Sequence, residues 1–172
     1  MDASGSNSLC FSCGLCCNGV IFADVRLGPG YEAERLRLLG APVKGVRSED
    51  GTSKLPQPCS AFDGCRCKIY ADRPKHCRKF ECLLLKDVIA DRTTNTDALR
   101  TIRLAQWRMR KVKRLLRKLG DTDEDVALSK RFRRMKKRLE TAPADPVAAG
   151  TFSELTVAMH ELNMLLSEAF YR

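Results

Sequence analysis

The second half of the chain carries three stretches in which apolar residues recur every three or four positions. They run from residue 97 to Leu119, from residue 121 to Arg138 and from Thr151 to Phe170. This spacing places the apolar residues on one face of an α-helix and the charged residues on the other. The pattern predicts three amphipathic helices within residues 96–172, packed on the first half of the chain or on one another.

The residues at the ends of these stretches are typical of helix boundaries. Thr96 or Asp97 is a suitable N-cap for the first helix, and Gly120 is a suitable C-terminal stop. The acidic run at 121–125 favours the positive N-terminus of the second helix. Thr151-Phe-Ser-Glu154 fits a capping box, so the third helix is predicted to begin there.

The first half of the chain has shorter and more varied patterns. The β-branched stretch 20–27 predicts a strand, and Tyr31–Leu39 predicts a short helix. Residues 41–58 are rich in Pro, Gly, Ser and charge, which indicates a loop. Asp72, placed just ahead of Pro74, is predicted to cap a further helix.

Composition and charge limit the class of protein. The chain has 172 residues, of which 44% are hydrophobic and 30% charged, as in a folded water-soluble domain. No apolar run reaches the roughly 18–20 residues that span a bilayer. The first residues lack the basic start and apolar stretch of a secretory signal. We therefore expect a cytoplasmic protein, in which thiols stay reduced.

Nine cysteines, all within the first 82 residues, are the main chemical signal. Four of them form the run Cys10-x2-Cys13-x2-Cys16-Cys17, and C-x2-C spacing lets two sulfurs converge on one ion. In a reducing compartment this pattern favours metal ligation over a disulfide framework or over buried and reactive thiols. Eight cysteines suffice for two tetrahedral zinc sites and four for one four-iron, four-sulfur cluster, so zinc and iron both stay open.

The cysteine pattern and the residues around it resemble the YkgJ-like (CxxCxxCC) cysteine-cluster family. The resemblance covers residues 8–85 and rests on the first run, on Pro58-Cys59 and on Cys67-Lys-Ile-Tyr-Ala-Asp-Arg-Pro-Lys-His-Cys77-Arg-Lys-Phe-Glu-Cys82. It implies a domain that chelates zinc or iron through eight ligands, which are Cys10, Cys13, Cys16, Cys17, Cys59, Cys67, Cys77 and Cys82. Cys65 departs from the family pattern as an extra thiol, either an alternative ligand or a buried small residue.

Two further features leave alternatives open. His76 stands beside Cys77 and could ligate zinc, although with enough cysteines present we expect it at the surface or supporting a ligand. Residues 100–138 contain 16 Lys or Arg against four acidic residues. Such a surface could bind phosphate backbones or an anionic membrane. A charged outer face is, however, what a solvated amphipathic helix normally shows, and a solvated or protein-facing surface is the favoured interpretation.

Together these patterns predict an α-rich fold with minor β, in which a cysteine-cluster metal-binding domain at 8–90 precedes the helical region 96–172. The favoured function is chelation of zinc or iron, as Zn²⁺ ions or as an iron–sulfur cluster. One alternative is an iron–sulfur redox enzyme or accessory protein. Another is a zinc-stabilised nucleic-acid-binding protein that uses the basic helices 97–138. The expected partner is a metal ion. An anionic partner at the basic helices, such as a nucleic acid, is a less favoured alternative, and a membrane is disfavoured.

Overall fold

The structure is a computed structural model that describes residues 9–28, 30–45, 52–64, 66–141 and 145–171. The chain divides into two compact units. The helical unit contains the described residues up to Cys13, then Glu81–Asp123 and the residues from Leu128 onwards. The sheet unit contains Gly14–Phe80 and Glu124–Ala127. The α-rich class with minor β is confirmed. The predicted domain bounds of 8–90 and 96–172 stay a prediction.

A small antiparallel sheet organises the sheet unit. Its strands are β1 (Asp24–Leu27), β2 (Lys44–Gly45) and β3 (Ser53–Pro56), in the order β1-β3-β2. The strand predicted at 20–27 is confirmed in its second half. The loop predicted at 41–58 is wrong, because β2 and β3 both lie within it.

Strand β3 is half-buried, although its composition does not indicate a strand. Ser53 and Leu55 are buried, whereas Lys54 between them is partly exposed and reaches Asp24 of β1 at 3.6 Å. This is the alternation of a strand with one face on a core. Only one of the two inward residues is apolar, so hydrophobic periodicity does not reveal the strand.

Helix α2 (Tyr31–Leu38) supplies the other side of this core. It ends where Ala41 N–H donates to the Leu36 carbonyl at 2.9 Å, with Gly40 at φ 77°, a left-handed conformation that favours glycine. The core of the sheet unit consists of Val25, Leu27, Ala33, Leu36, Ala41 and Leu55.

A 3₁₀ turn (Tyr70–Asp72) and the short helix α3 (Lys75–Lys79) complete the sheet unit. Asp72 does not cap α3 as predicted. It ends the 3₁₀ turn and forms an ion pair with Arg35 of α2. Pro74 occupies the N-cap position of α3 and leaves no side chain to accept a hydrogen bond there. The partner of Asp72 comes from a distant part of the sequence, which local capping rules do not consider.

The helical unit contains residues 9–13 (α1), α4 (Leu83–Ile89), α5 (Asn95–Lys118), α6 (Leu128–Thr141) and α7 (Pro146–Ala169). Helices α5 and α7 share the largest interface of this unit, and α6 contacts both. The three predicted amphipathic helices are therefore confirmed, although each begins at a different residue from the one predicted. Among the described residues, no helix is long and apolar enough to cross a membrane.

Two of the predicted helix caps are wrong. Helix α5 begins after Thr94, whose Oγ1 accepts a hydrogen bond from Asp97 N–H at 3.1 Å. Helix α7 begins at Pro146, five residues before Thr151, and Asp145 caps it by accepting from Val147 N–H at 2.9 Å. An acceptor at the N-cap followed by proline at the first helical position is a strong start signal, and it outweighs the later capping box.

Helix α6 begins at Leu128 rather than within the acidic run at 121–125. Asp121, the first residue of that run, instead pairs with arginine side chains of α6. Its carboxylate lies at 3.0 Å from Arg131 Nε, and both side chains are buried, with 3% and 1% exposure. Arg134 Nη2 is also 3.0 Å from this carboxylate. Burial alone would raise the pKa of Asp121, but the hydrogen bond from Arg134 and the charges of Arg131 and Arg134 hold it below its ordinary value.

The same face of α6 satisfies carbonyl groups at the end of α5. Arg131 Nη2 donates to the Asp121 carbonyl at 3.2 Å, and Arg138 donates to the Leu119 carbonyl. These are carbonyls near a helix C-terminus, where no intrahelical donor is available. Arg131, Arg134 and Arg138 thus fix the turn between α5 and α6 from within the helical unit.

We predict that Asp121→Asn lowers the free energy of unfolding by about 3 kcal/mol, because it removes the buried carboxylate that pairs with the buried Arg131 guanidinium. The matched control is Asp123→Asn, which removes a carboxylate that is 43% exposed and pairs with Arg134. The control should cost less than about 1 kcal/mol. Urea unfolding followed by far-ultraviolet circular dichroism measures both, and equal losses would contradict the assignment.

Candidate metal centre

A tight turn after Cys13 orients the second half of the first cysteine run. Cys17 N–H and Asn18 N–H both donate to the Gly14 carbonyl at 3.0 Å. Gly14 has φ 64°, and a Cβ at this position would lie 2.6 Å from Phe62 Cζ. Glycine is therefore required both by the backbone conformation and by the space available.

A backbone hydrogen bond joins this turn to the second group of cysteines. Cys59 N–H donates to the Cys17 carbonyl at 2.8 Å. Beside it, Gly19 at φ 79° packs so closely on Pro58 that a Cβ would lie 3.1 Å from the proline ring. The Cys17 and Cys59 backbones are thus held side by side.

Cys59, Cys67 and Cys77 reach the same region from three different local structures. Cys59 and Cys77 are half-buried and pack against the hydrophobic core of the sheet unit. Cys67 forms an isolated antiparallel bridge with Phe62, supported by Lys68 N–H donating to the Ala61 carbonyl at 2.8 Å. Helix α3 carries Cys77 and ends before Cys82. The chain therefore does not continue as one helix between these two cysteines.

Electrostatics link these three thiols. The pKa of the Cys77 thiol is raised to about 11. The largest cause is burial, and the charges that Cys59 and Cys67 carry when ionised raise it further. Burial also raises the pKa of Cys59, and the charge of Cys67 adds to it. A positive neighbour works in the opposite direction, since Arg73 lowers the pKa of Cys77. In the metal-free protein the Cys77 thiol is therefore neutral near pH 7, and a bound cation would have to displace its proton.

The remaining predicted ligands of the first run lie in two places. Cys16 and Cys17 belong to the sheet unit and are half-buried. Cys10 and Cys13 lie on α1 in the helical unit. There Gln106 Nε2 of α5 donates to the carbonyls of Ser12 and Cys13 at 2.9 and 3.0 Å. No feature of the sequence points to this role of Gln106.

Cys82 also belongs to the helical unit. It occupies the N-cap position of α4, and burial raises the pKa of its thiol. The eight described cysteines are thiols rather than disulfides. Cys65 lies outside the described residues. The structure thus distributes the predicted ligands as five in the sheet unit and three in the helical unit, and the ligand set stays a prediction.

His76 has an aromatic environment. Its ring lies edge-on to Phe22 at 5.5 Å between centroids and parallel to Phe80 at 6.3 Å, and the residue as a whole is exposed. Within the described part of the chain, no group of three or more His, Cys, Asp or Glu side chains is placed so that it could hold a metal ion.

The comparisons with known proteins identify the family. No curated protein and no solved structure matches the chain. A family model does match, over residues 9–114, and it is the CxxCxxCC model, described as a “putative zinc- or iron-chelating domain”. The match takes in all nine cysteines and extends through α4 into α5, beyond the residues on which the resemblance rests. Since it covers well over half of the chain, this protein belongs to the CxxCxxCC family.

Proposed function

We propose that this protein binds zinc or iron through eight cysteine thiolates. The proposed ligands are Cys10, Cys13, Cys16, Cys17, Cys59, Cys67, Cys77 and Cys82. The observation that carries the proposal is that Cys59 and Cys77 pack against the same core of the sheet unit and that, in addition to burial, Cys67 when ionised raises the pKa of both thiols. The hydrogen bond from Cys59 N–H to the Cys17 carbonyl holds Cys17, a residue of the first run that belongs to the sheet unit, beside Cys59.

The chemistry of the donors fits either metal. Thiolates are the ligands that zinc and iron–sulfur clusters take in proteins. Grouped thiols with raised pKa values repel one another once ionised, and a cation bound among them would remove that repulsion. The proposal requires the metal to draw these thiols into its coordination shell, as happens when metal binding and folding are coupled. A bound zinc would cross-link the chain, and an iron–sulfur cluster would add electron transfer.

We expect the purified protein to retain zinc or iron in stoichiometric amount after dialysis. The test is anaerobic purification, followed by elemental analysis and an absorption spectrum. A brown protein whose visible absorption bleaches on reduction would identify an iron–sulfur cluster, whereas a colourless zinc-loaded protein would identify structural zinc. Dialysed protein without either metal would contradict the proposal.

Replacing Cys59 or Cys77 by serine should lower the metal content of the purified protein, because serine keeps the size of cysteine but is a poor ligand for these metals. The matched control is Cys65→Ser, which removes the one cysteine outside the family set and should leave the content unchanged. Elemental analysis of the three variants, prepared side by side, measures this. Equal losses in all three would show that Cys65 also ligates, and no loss in any would contradict the ligand set.

Removal of the metal should unfold the sheet unit and spare the helical unit. Zinc bound by small thiolate sites contributes about 10–16 kcal/mol to folding. Burial of the four large apolar side chains of this core supplies about 6–12 kcal/mol, from which the conformational entropy of the whole sheet unit must still be subtracted. Hydrogen exchange before and after treatment with a chelator should show loss of slow exchange in β1 and β3. Slow exchange in α5 and α7, within the same molecule, should persist. Unchanged protection of β1 and β3 would contradict a structural role for the metal.

A further inference from the structure

We propose that the outer face of α5 is a binding surface for single-stranded nucleic acid, formed by Arg103, Trp107, Arg110, Arg114 and Arg117. This interaction is separate from metal binding, because it uses residues of α5 that carry none of the proposed ligands. We call these five residues the arginine–tryptophan line.

The five residues form one line along the helix. At 100° per residue their side-chain positions fall within about 40° on either side of a common direction, and the line is about 21 Å long. All five are exposed, and Trp107 keeps 54% of its surface accessible. The opposite face of α5 is buried, with Ile102, Ala105 and Val112 at 2% exposure or less. The arginine–tryptophan line therefore faces away from the core of the helical unit.

The sequence of α5 beyond its first turn carries charge of one sign. From Ala98 to Gly120 the sequence contains nine Lys or Arg and no acidic residue. Within the described part of the chain, Arg103, Arg110 and Arg114 form no ion pair. The basic residues of α6 behave differently, since Arg131, Arg134 and Arg138 all bind groups of the turn between α5 and α6. A ligand of α5 must therefore be strongly anionic.

The position of Trp107 favours nucleic acid over the other polyanions. An amphipathic helix that lies on a membrane presents its aromatic residues on the apolar face, opposite its basic residues. Here the apolar face is buried in the helical unit and Trp107 stands among the arginines. An acidic peptide offers charge but no partner for the indole. A single strand offers both, because phosphates pair with the arginines while a base stacks on the exposed indole.

The test uses the full metal-loaded chain with a fluorescent oligouridine and an oligothymidine of about a dozen nucleotides. Trp107 is the only tryptophan in the chain, so quenching of its fluorescence reports stacking directly. Anisotropy gives the dissociation constant between about 0.05 and 0.2 M salt. Contacts from four arginines predict a slope of about −3 for log K against log salt. A preference for one oligonucleotide would identify RNA or DNA as the source of the strand.

Two variants separate the contribution of charge to the binding affinity from that of base stacking. Arg103→Gln, Arg110→Gln and Arg114→Gln combined should weaken binding at least about tenfold and reduce the magnitude of the slope by about 2. Trp107→Leu should weaken binding about 5- to 100-fold and leave the slope unchanged.

The matched control combines Arg133→Gln, Lys136→Gln and Lys137→Gln on α6, which removes the same charge from another helix of the same unit. It should retain most of the affinity. Equal weakening by the control would overturn the assignment to α5.

The absence of binding and of quenching with both oligonucleotides would overturn the proposal. Equal affinity for anionic vesicles or for polyglutamate, with the same dependence on Trp107, would replace nucleic acid by a membrane or an acidic protein. Circular dichroism and metal content should match the parent chain in every variant.

Discussion

A 2.8 Å hydrogen bond from Cys59 N–H to the Cys17 carbonyl closes the loop that contains all three strands and α2. Closing a loop of this length costs entropy, and one hydrogen bond returns only about 1 kcal/mol. The small core under β1, β3 and α2 adds a further contribution. A metal held by the cysteines on both sides of this closure would act as a cross-link at the point where the sheet unit needs one. The proposed ligation and the fold of this unit therefore depend on the same contact.

The helical unit is stabilised in another way, and it uses arginine for two purposes. On α6, Arg131 is 1% exposed and neutralises the buried Asp121, while Arg138 satisfies a carbonyl at the end of α5. On α5, Arg103 and Arg110 are exposed and belong to a stretch without acidic residues. Similar basic patterns in the two helices thus correspond to internal stabilisation in α6 and to an exposed basic face in α5. The structure is needed to tell these two uses apart.

The parts of the fold that follow from local physics were predictable. The periodicity of α5, α6 and α7 indicated three helices, and the residues around the cysteines indicated the family. The starts of α5 and α7 were misplaced although local capping residues mark them. The other errors occurred where a distant partner decides the role of a residue. Asp72 pairs with Arg35 instead of capping α3, and Asp121 pairs with Arg131 instead of starting α6. Strand β3 was missed for the same reason, because its pairing with β1 outweighs a composition typical of loops. The ligand set could be proposed from the family resemblance, but its metal could not, since zinc and iron take the same thiolates.

Metal binding would also increase the difference in net charge between the cysteine-containing first half of the chain and α5. The formal charge of +10 counts every cysteine as neutral. Four thiolates around one Zn²⁺ carry a net charge of −2, so two such sites would lower the total to about +6. The whole of that change falls within the first 82 residues, while the nine basic residues between Ala98 and Gly120 keep their charge. The metal-loaded protein would therefore concentrate its positive charge in α5 more strongly than the metal-free protein. An anionic ligand of α5 would then meet less competing positive charge near the cysteines, so its binding would be confined more closely to the arginine–tryptophan line.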